Sequence, residues 1–208
     1  MGDVKERPTL RDERARVTRR RIADAARTLF RSRGYGATTL QAVADEAGVA
    51  VQTVYAVFGS KSGILNELRD SVLRQPEADA LFEEALREPK AEAKLKLFAR
   101  SVRRRWEFGH DVVEIHRDAA ATDASVRAGV EHVLGARRAG IDRLAGTLEG
   151  QLAPGIDVAH ASAIIDALTL PELYAELTEV AHWDADEFEE WLARSLRNQL
   201  LIVPAAFT

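Results

Sequence analysis

Apolar residues recur at intervals of three and four through almost the whole of this 208-residue chain, and no segment alternates β-branched with polar residues as a strand does. Glycines and prolines divide this pattern into blocks. The blocks predict an all-α protein of about nine helices. The predicted helices are 16–33, 40–47, 50–58, 61–73, 91–108, 111–121, 124–149, 158–180 and 185–202.

Helix ends are marked by particular residues. Thr39, Ser60 and Asp184 stand where an N-cap is expected, the last with Glu187 in a capping-box spacing. Gly34 and Gly48 follow helical blocks, and glycine adopts the positive φ that such stops require at no steric cost.

Three prolines mark the remaining breaks. A polar connection is expected between Pro76 and Pro89. Pro171 lies inside a helical pattern, where it removes a backbone hydrogen bond, so a kink or restart is expected there. Thr169 and Glu172 have the spacing of a capping box for that restart.

Charge divides the chain near Gln75. Residues 1–75 hold 14 Lys and Arg against 9 Asp and Glu, whereas residues 76–208 hold 15 against 24. Such asymmetry predicts a part that faces a polyanion, joined to a part with another task. We therefore expect a flexible basic arm at 1–14, one domain at 15–75 and a second at 76–208.

Several classes of protein are disfavoured by what the chain lacks. It has no cysteine, and its longest apolar stretch, residues 200–207, is far short of the ~20 residues that span a bilayer. No secretory signal is recognisable at the basic amino terminus. We expect a cytoplasmic protein with no membrane partner.

Helices 40–47 and 50–58 have the proportions of a helix-turn-helix, with Gly48 and Val49 in the turn. On spacing alone, an ordinary hairpin of two helices is an equally good interpretation. The residues around the turn distinguish the two.

From Thr38 to Leu65 the chain reads TTLQAVADEAGVAVQTVYAVFGSKSGIL. This string resembles the DNA-binding region of the tetracycline-repressor (TetR) family of bacterial regulators. The resemblance covers residues 16–73. Beyond it, the chain is similar to the family only in length and helical content.

The resemblance implies that helix 50–58 enters the major groove of DNA. Gln52 would read adenine and Val51 would meet a thymine methyl, while the hydroxyls of Thr53 and Tyr55 would contact phosphates. Val57 departs from the family, which often has an aromatic residue or histidine at this position, so the backbone contact made there is expected to be missing.

Further contacts are implied around that helix. Thr39 matches the family's phosphate-contacting cap, and Gln41 falls where members touch a base. Lys61, with the N-terminal N–H groups of its helix, would form an anion site for a phosphate.

A run of arginines opens the first helical block. A solvated charged face is the usual meaning of such a run. Its place beside the expected reading helix favours phosphate or minor-groove contact, chiefly by Arg19 and Arg20.

In residues 76–208 the resemblance implies a ligand-binding and dimerisation domain. Candidate ligand contacts share a helical face, although most such faces are ordinary core; they are Phe98, Val102, Trp106 and His110, with Tyr174 as a polar group. Arg103, Arg104 and Arg105 are expected at the surface, the alternative being that one of them faces inward toward an acidic ligand, since together they cover more than half the helix circumference. We expect no cofactor and no metal, since His110 and His116 lie on different sides of a helix.

Two apolar stripes near the carboxyl terminus are expected to pair with a second chain in a four-helix bundle, the alternative being intramolecular core. The candidate interface residues are Ile165, Leu168, Leu173, Phe188, Trp191, Leu192 and Leu196.

The sequence thus predicts a homodimeric repressor, released from a palindromic operator in double-stranded DNA by a small-molecule effector. Repression and the effector rest on the resemblance alone. An enzyme is disfavoured because no catalytic motif is recognisable. A helical adaptor that binds protein would leave Tyr55 and Lys61 without a role.

Overall fold

The structure is a computed structural model and describes residues 9–201, without the side chains of residues 128 and 130–132. Within this range the chain forms ten α-helices and one π-helical segment, and it has no strand beyond an isolated bridge between Leu152 and Leu201. The all-α expectation is confirmed, with eleven helical segments in place of about nine.

The helices follow the chain in this order: α1 Leu10–Arg33, α2 Leu40–Ala47, α3 Val51–Phe58, α4 Lys61–Leu73, α5 Pro76–Arg87, α6 Ala91–Thr122, α7 Ala124–Gly146, α8 Val158–Leu168, α9 Pro171–Ala175, the π-helical segment Glu176–Val180 and α10 Ala185–Leu200.

Helix α1 begins earlier than expected. Thr9 accepts a hydrogen bond from the N–H of Asp12, whose carboxylate accepts from the N–H of Thr9, and this capping box starts the helix at Leu10. Residues 10–14 are therefore helical and not part of a flexible arm. Residues 1–8 of the expected arm lie outside the described residues.

Helices α2 to α4 have nearly the predicted bounds, because local capping fixes their ends. The Thr39 hydroxyl accepts from the N–H of Ala42 at 3.1 Å, and the Ser60 hydroxyl accepts from that of Gly63 at 3.0 Å. Gly48 ends α2 in the left-handed conformation, with φ 62° and ψ 42°.

Helix α5 occupies the region expected to be a polar connection. Pro76 stands at its first turn, where a missing N–H costs nothing, so this proline starts a helix and does not prevent one. The sequence offers only a narrow apolar stripe here, with Ala78 and Ala85 buried.

Helix α6 is one continuous element where the sequence predicts two helices, 91–108 and 111–121. The backbone leaves helical geometry at Gly109, with φ −155° and ψ 25°, and then continues as a helix. A side chain at this position would lie 2.2 Å from a methyl carbon of Val72. The glycine therefore serves a close approach between α6 and the last turn of α4.

The predicted restart at Pro171 is confirmed, but its predicted capping box is wrong. Leu170 is the N-cap, and it makes no side-chain cap bond. Thr169 instead donates its hydroxyl to the carbonyl of Ile165 at 2.7 Å and accepts from the guanidinium of Arg137 at 2.7 Å. Both bonds lie at the carboxyl end of α8, where Thr169 is the C-cap.

Helix α10 begins with the predicted capping box, in which Asp184 and Glu187 exchange hydrogen bonds. The helix ends at Leu200, and the predicted last residue, Ile202, lies outside the described residues. Phe188, Leu192, Leu196 and Leu200 form its buried face.

The chain divides into two compact units that differ from the expected domains. The first holds residues 9–70 together with 114–127, and the second holds 71–113 and 128–201. The first unit therefore contains the end of α6 and the start of α7, which the expected domain at 15–75 lacks. Its fully buried residues include Ile22, Val43, Val54, Ile64 and Leu65.

Candidate nucleic-acid interface

The turn between α2 and α3 has the geometry of a helix-turn-helix. Gly48 donates its N–H to the carbonyls that end α2, and its positive φ lets the chain reverse at once. Arg21 of α1 donates to the carbonyl of Ala47 at 2.6 Å. This hydrogen bond ties α1 to the end of α2 just before the turn, a contact that the sequence did not indicate.

Helix α3 is anchored by one side and open on the other. Val54 is fully buried, whereas Gln52 is exposed and Tyr55 is 55% exposed. Val51 and Thr53 are half-buried. Gln52, the predicted base contact, and Tyr55, a predicted phosphate contact, are thus available to a partner, held by a helix that packs through Val54.

The two candidates on α2 are held by local hydrogen bonds. The Thr39 hydroxyl oxygen caps α2, and Gln41 donates its amide to the carboxylate of Asp45 at 2.8 Å. Both side chains are exposed. A base contact by Gln41 requires its amide to leave Asp45.

Lys61 does not point freely into solvent. Its ammonium donates to the carbonyl of Tyr35 at 2.7 Å and to that of Gly36 at 3.4 Å, and it lies 4.5 Å from the centre of the Tyr35 ring. An ammonium carries three donors, so one N–H remains for a phosphate.

The candidate arginines of α1 differ in their surroundings. Arg19 forms an ion pair with Glu67 at 2.6 Å, lies over the Phe58 ring, and donates to the carbonyl of Val57 at 3.3 Å. It therefore links α1 to α3 and α4, a role that was not expected of it. Arg20 is exposed, and no ion pair to it occurs within residues 9–201.

Tyr35, in the loop between α1 and α2, is bound by two carboxylates from a distant part of the chain. Its backbone N–H donates to Asp118 at 3.1 Å, and its hydroxyl donates to Asp123 at 3.0 Å. Burial, followed by the hydrogen bond to Asp123, raises the pKa of Tyr35 to about 12. Sequence reasoning missed both acids, which lie 83 and 88 positions away.

The second unit brings together several of the predicted ligand contacts. The rings of His110 and Tyr174 lie 5.2 Å apart, and the Trp106 indole donates to the carbonyl of Thr169 at 3.0 Å. His110 contacts Glu179 and the carbonyl of Trp106 through its two ring nitrogens. Phe98 and Val102 are buried, and burial raises the pKa of Tyr174.

Arg103 is buried, contrary to the surface position expected for it. Its guanidinium pairs with Glu189 at 2.8 Å, Glu107 at 3.1 Å and Asp186 at 3.4 Å, so it joins α6 to α10. Three successive arginines cover more than half the helix circumference, so the sequence allows one of them to face inward, but it does not identify which.

The predicted interface residues separate into two groups. Ile165, Phe188, Leu192 and Leu196 are fully buried within one chain, so they have no surface for a partner to cover, and the prediction is wrong for them. Their stripe is intramolecular core. The others are half-buried; they are Leu168, Leu173 and Trp191.

A groove of about 350 Å³ lies between the first turns of α6 and the outer face of α10. None of the five predicted ligand contacts lines it. In residues 9–201, no cluster of His, Cys, Asp or Glu side chains has the arrangement of a metal site. Nor is any helix of that range both long and apolar enough to cross a membrane.

Comparison with known proteins points to one family. Residues 22–68 match the family described as bacterial regulatory proteins, tetR family. The uncharacterized HTH-type transcriptional regulator YvkB of Bacillus subtilis is 38% identical over 71 residues. That match covers 31% of this chain and only 38% of YvkB.

Two solved structures share the fold along nearly all of the chain. NalD, the secondary repressor of the MexAB-OprM multidrug efflux pump in Pseudomonas aeruginosa, has a TM-score of 0.69 at 24% identity, covering 91% of this chain and 98% of NalD. SmeT in its triclosan complex has a TM-score of 0.68 at 20% identity, covering 92% of this chain and 97% of SmeT.

The matched residues 22–68 contain the helix-turn-helix, the second half of α1 and most of α4. The family is one of transcriptional regulators and not of enzymes. Residues 22–68 thus carry the helix-turn-helix module of the tetR family of bacterial regulatory proteins, and the chain shares the fold of NalD and SmeT along nearly all of its length.

Proposed function

We propose that the chain is a homodimeric transcriptional repressor of the cytoplasm, which binds a palindromic operator in double-stranded DNA and is released by a small-molecule effector. The observation that carries this proposal is the tetR-family helix-turn-helix, whose helix α3 buries Val54 and exposes Gln52 and Tyr55.

The reading residues have distinct roles in this proposal. Gln52 reads adenine through its amide, Val51 contacts a thymine methyl, and Thr53 and Tyr55 bind phosphates. Thr39 and Arg20 add phosphate contacts. Arg19 and Gln41 contribute only if they leave the carboxylates that hold them.

Homodimer formation follows from the need to reach a second half-site about 34–36 Å along the duplex. Leu168, Leu173 and Trp191 are the interface residues that remain, because each keeps exposed surface in one chain. The first unit, residues 9–70 with 114–127, is called the head. Two identical heads related by a two-fold axis match a palindromic sequence.

An effector acts through its different affinities for the DNA-binding and released states. We assign it to Trp106, His110, Tyr174, Phe98 and Val102 in the second unit. The triclosan complex of the similar protein SmeT supports a small ligand. All three tryptophans lie in residues 76–208, so their fluorescence is a convenient screen.

The test begins with selection of duplexes from a random library by the full-length protein. Fluorescence anisotropy then measures affinity for the selected operator and for single-base changes in it. We expect Gln52→Ala to cost about 1–3 kcal/mol and to relax the preference at one base pair. Tyr55→Phe is expected to weaken binding evenly across sequences.

Gln199→Ala, which removes an exposed amide from α10, is the matched control and should bind as the unsubstituted chain does. Selection that recovers no preferred sequence argues against the repressor. Unchanged specificity in Gln52→Ala overturns the assigned contact.

A further inference from the structure

Two carboxylates outside the helix-turn-helix hold the loop that in turn holds Lys61. We propose that Asp118 and Asp123, acting through Tyr35, position the Lys61 ammonium for a backbone phosphate and so set the affinity for the operator. This inference rests on the proposed function. Asp118, Asp123 and Tyr35 are positioning residues, and Lys61 is the residue that touches DNA.

We call Tyr35, Asp118 and Asp123 the clasp. Tyr35 makes one hydrogen bond with each of the two acids and one with Lys61. Its N–H donates to Asp118 at 3.1 Å, its hydroxyl donates to Asp123 at 3.0 Å, and its carbonyl accepts from Lys61 at 2.7 Å. Only 4% of Tyr35 is exposed, and its ring packs against that of Phe30 at 5.2 Å. Tyr35 itself is thus shielded from water, whereas Asp118 is exposed and Asp123 is half-buried.

The clasp restricts a side chain that is otherwise flexible. A free lysine stem samples many rotamers, and ordering it on DNA costs entropy at the moment of binding. With its ammonium already bound to the carbonyl and ring of Tyr35, Lys61 is ordered beforehand. Lys61 is the first residue of α4, and the first N–H groups of a helix also favour an anion.

The acids belong to a segment that is remote in sequence. Asp118 lies in the last turns of α6 and Asp123 at the start of α7, and both are grouped with the head residues 9–70. Asp123 also accepts from the N–H and hydroxyl of Ser125, which fixes its carboxylate. Operator affinity thus depends on residues that no helix-turn-helix motif includes.

The variants are designed to break single links. Tyr35→Phe removes the hydroxyl and keeps the ring beneath Lys61. Asp123→Ser is too short to reach Tyr35, yet serine still caps α7 as well as aspartate does. Asp142→Asn removes the same charge from an exposed position of α7 and is the control.

Operator affinity is measured by anisotropy over a range of salt concentrations. We expect Tyr35→Phe and Asp123→Ser each to weaken binding about three- to ten-fold for each chain of the dimer, the equivalent of one net hydrogen bond per chain. The slope of log affinity against log salt should fall by about one to two for a dimer that loses up to two phosphate contacts. Asp142→Asn should change neither quantity.

A double-mutant cycle that combines Tyr35→Phe with Lys61→Met tests whether the clasp acts on operator affinity through Lys61. If the clasp acts through Lys61, Tyr35→Phe has no further effect on affinity in the Lys61→Met background. Additive losses overturn the route through Lys61. Unchanged affinity and salt slope in both clasp variants, beside a lowered melting temperature, show a purely structural clasp and overturn the proposal.

Failure of the proposed function is a separate result. If the unsubstituted chain binds no specific duplex, the repressor and the clasp proposal both fall. If it binds specifically and the clasp variants bind equally well, only the clasp proposal falls.

Discussion

At the scale of the residue, the surroundings of a charged or phenolic group decide its role more than its type does. Arg19 and Arg20 are neighbours on α1, yet Arg19 is paired with Glu67 and Arg20 is open to solvent. Arg103 is buried among three carboxylates although Arg104 beside it is a third exposed. Such differences arise from tertiary contacts.

The buried phenol of Tyr35 predicts a pH dependence of stability. Because its pKa is raised to about 12 from 10.0, the folded state favours the protonated phenol. This contribution is fully present below pH 10 and is lost as the pH rises toward 12. We expect the free energy of unfolding to fall more steeply over that interval in the unsubstituted chain than in Tyr35→Phe.

Urea denaturation at several alkaline pH values measures this difference. Tyr55→Phe is the control, since Tyr55 is 55% exposed, and it should show the same slope as the unsubstituted chain. Equal slopes in the chain with and without the Tyr35 hydroxyl would contradict the prediction.

Much of the clasp lies beyond the reach of sequence reasoning. Gly34 is recognisable as a helix end, and Lys61 as a candidate phosphate contact, because both signals are local in the sequence. Asp118 and Asp123 belong to no motif. Only the folded chain brings them to Tyr35, across 83 and 88 positions.

At the scale of the element, glycines serve different purposes in helices of the same protein. Gly109 lies against Val72, so that an added Cβ would approach a methyl carbon to 2.2 Å, whereas nothing lies within 4 Å of a Cβ added at Gly135 in α7. The first is required by packing, and the second is merely tolerated.

Alanine substitution is therefore expected to have opposite effects at the two positions. Gly109→Ala should lower the free energy of unfolding by about 1–3 kcal/mol through overpacking. Gly135→Ala should raise it by about 0.5–1 kcal/mol, because alanine loses less backbone entropy in a helix. Chemical denaturation of both variants checks the signs, and a stabilising Gly109→Ala would refute the close packing at the kink.

The bounds of a helix were predictable from the sequence where its capping residue bonds within a few residues. They were not predictable where a residue such as proline is compatible with more than one local structure. Thr39, Gly48 and Ser60 mark α2 to α4 because each makes its capping bond within a few residues. Pro76 is compatible with a connection and with a first helical turn alike. The apolar stripe that would decide is narrow in α5, so the helix was missed.

At the scale of the whole molecule, a stripe of apolar residues does not reveal which surface it covers. Phe188, Leu192 and Leu196 have the spacing of an interface, but the fold of one chain already buries them. The periodicity of apolar residues predicts that they are buried, but it does not show whether the same chain or a second chain buries them. Among the predicted interface residues, Leu168, Leu173 and Trp191 are half-buried and still have surface that a second chain can bury.

A charge at those positions should separate the proposed dimer. We expect Leu168→Arg and Leu173→Arg to shift the protein toward the monomer in sedimentation velocity at micromolar concentration, because an unpaired charge is costly in an apolar interface. Val17→Arg, at a 59% exposed residue of α1, should leave the oligomeric state unchanged. A dimer that survives both leucine substitutions would place the interface elsewhere.

The head unit is discontinuous in sequence, because residues 114–127 complete it from beyond residues 71–113. During synthesis the ribosome must therefore release residues 71–113 of the second unit before the head can gain its last segment. A fragment cut at residue 75 would lack the carboxylates that bind Tyr35. A single recombination crossover cannot exchange this head without residues 71–113, so the head is inherited together with the length of chain that separates its two parts.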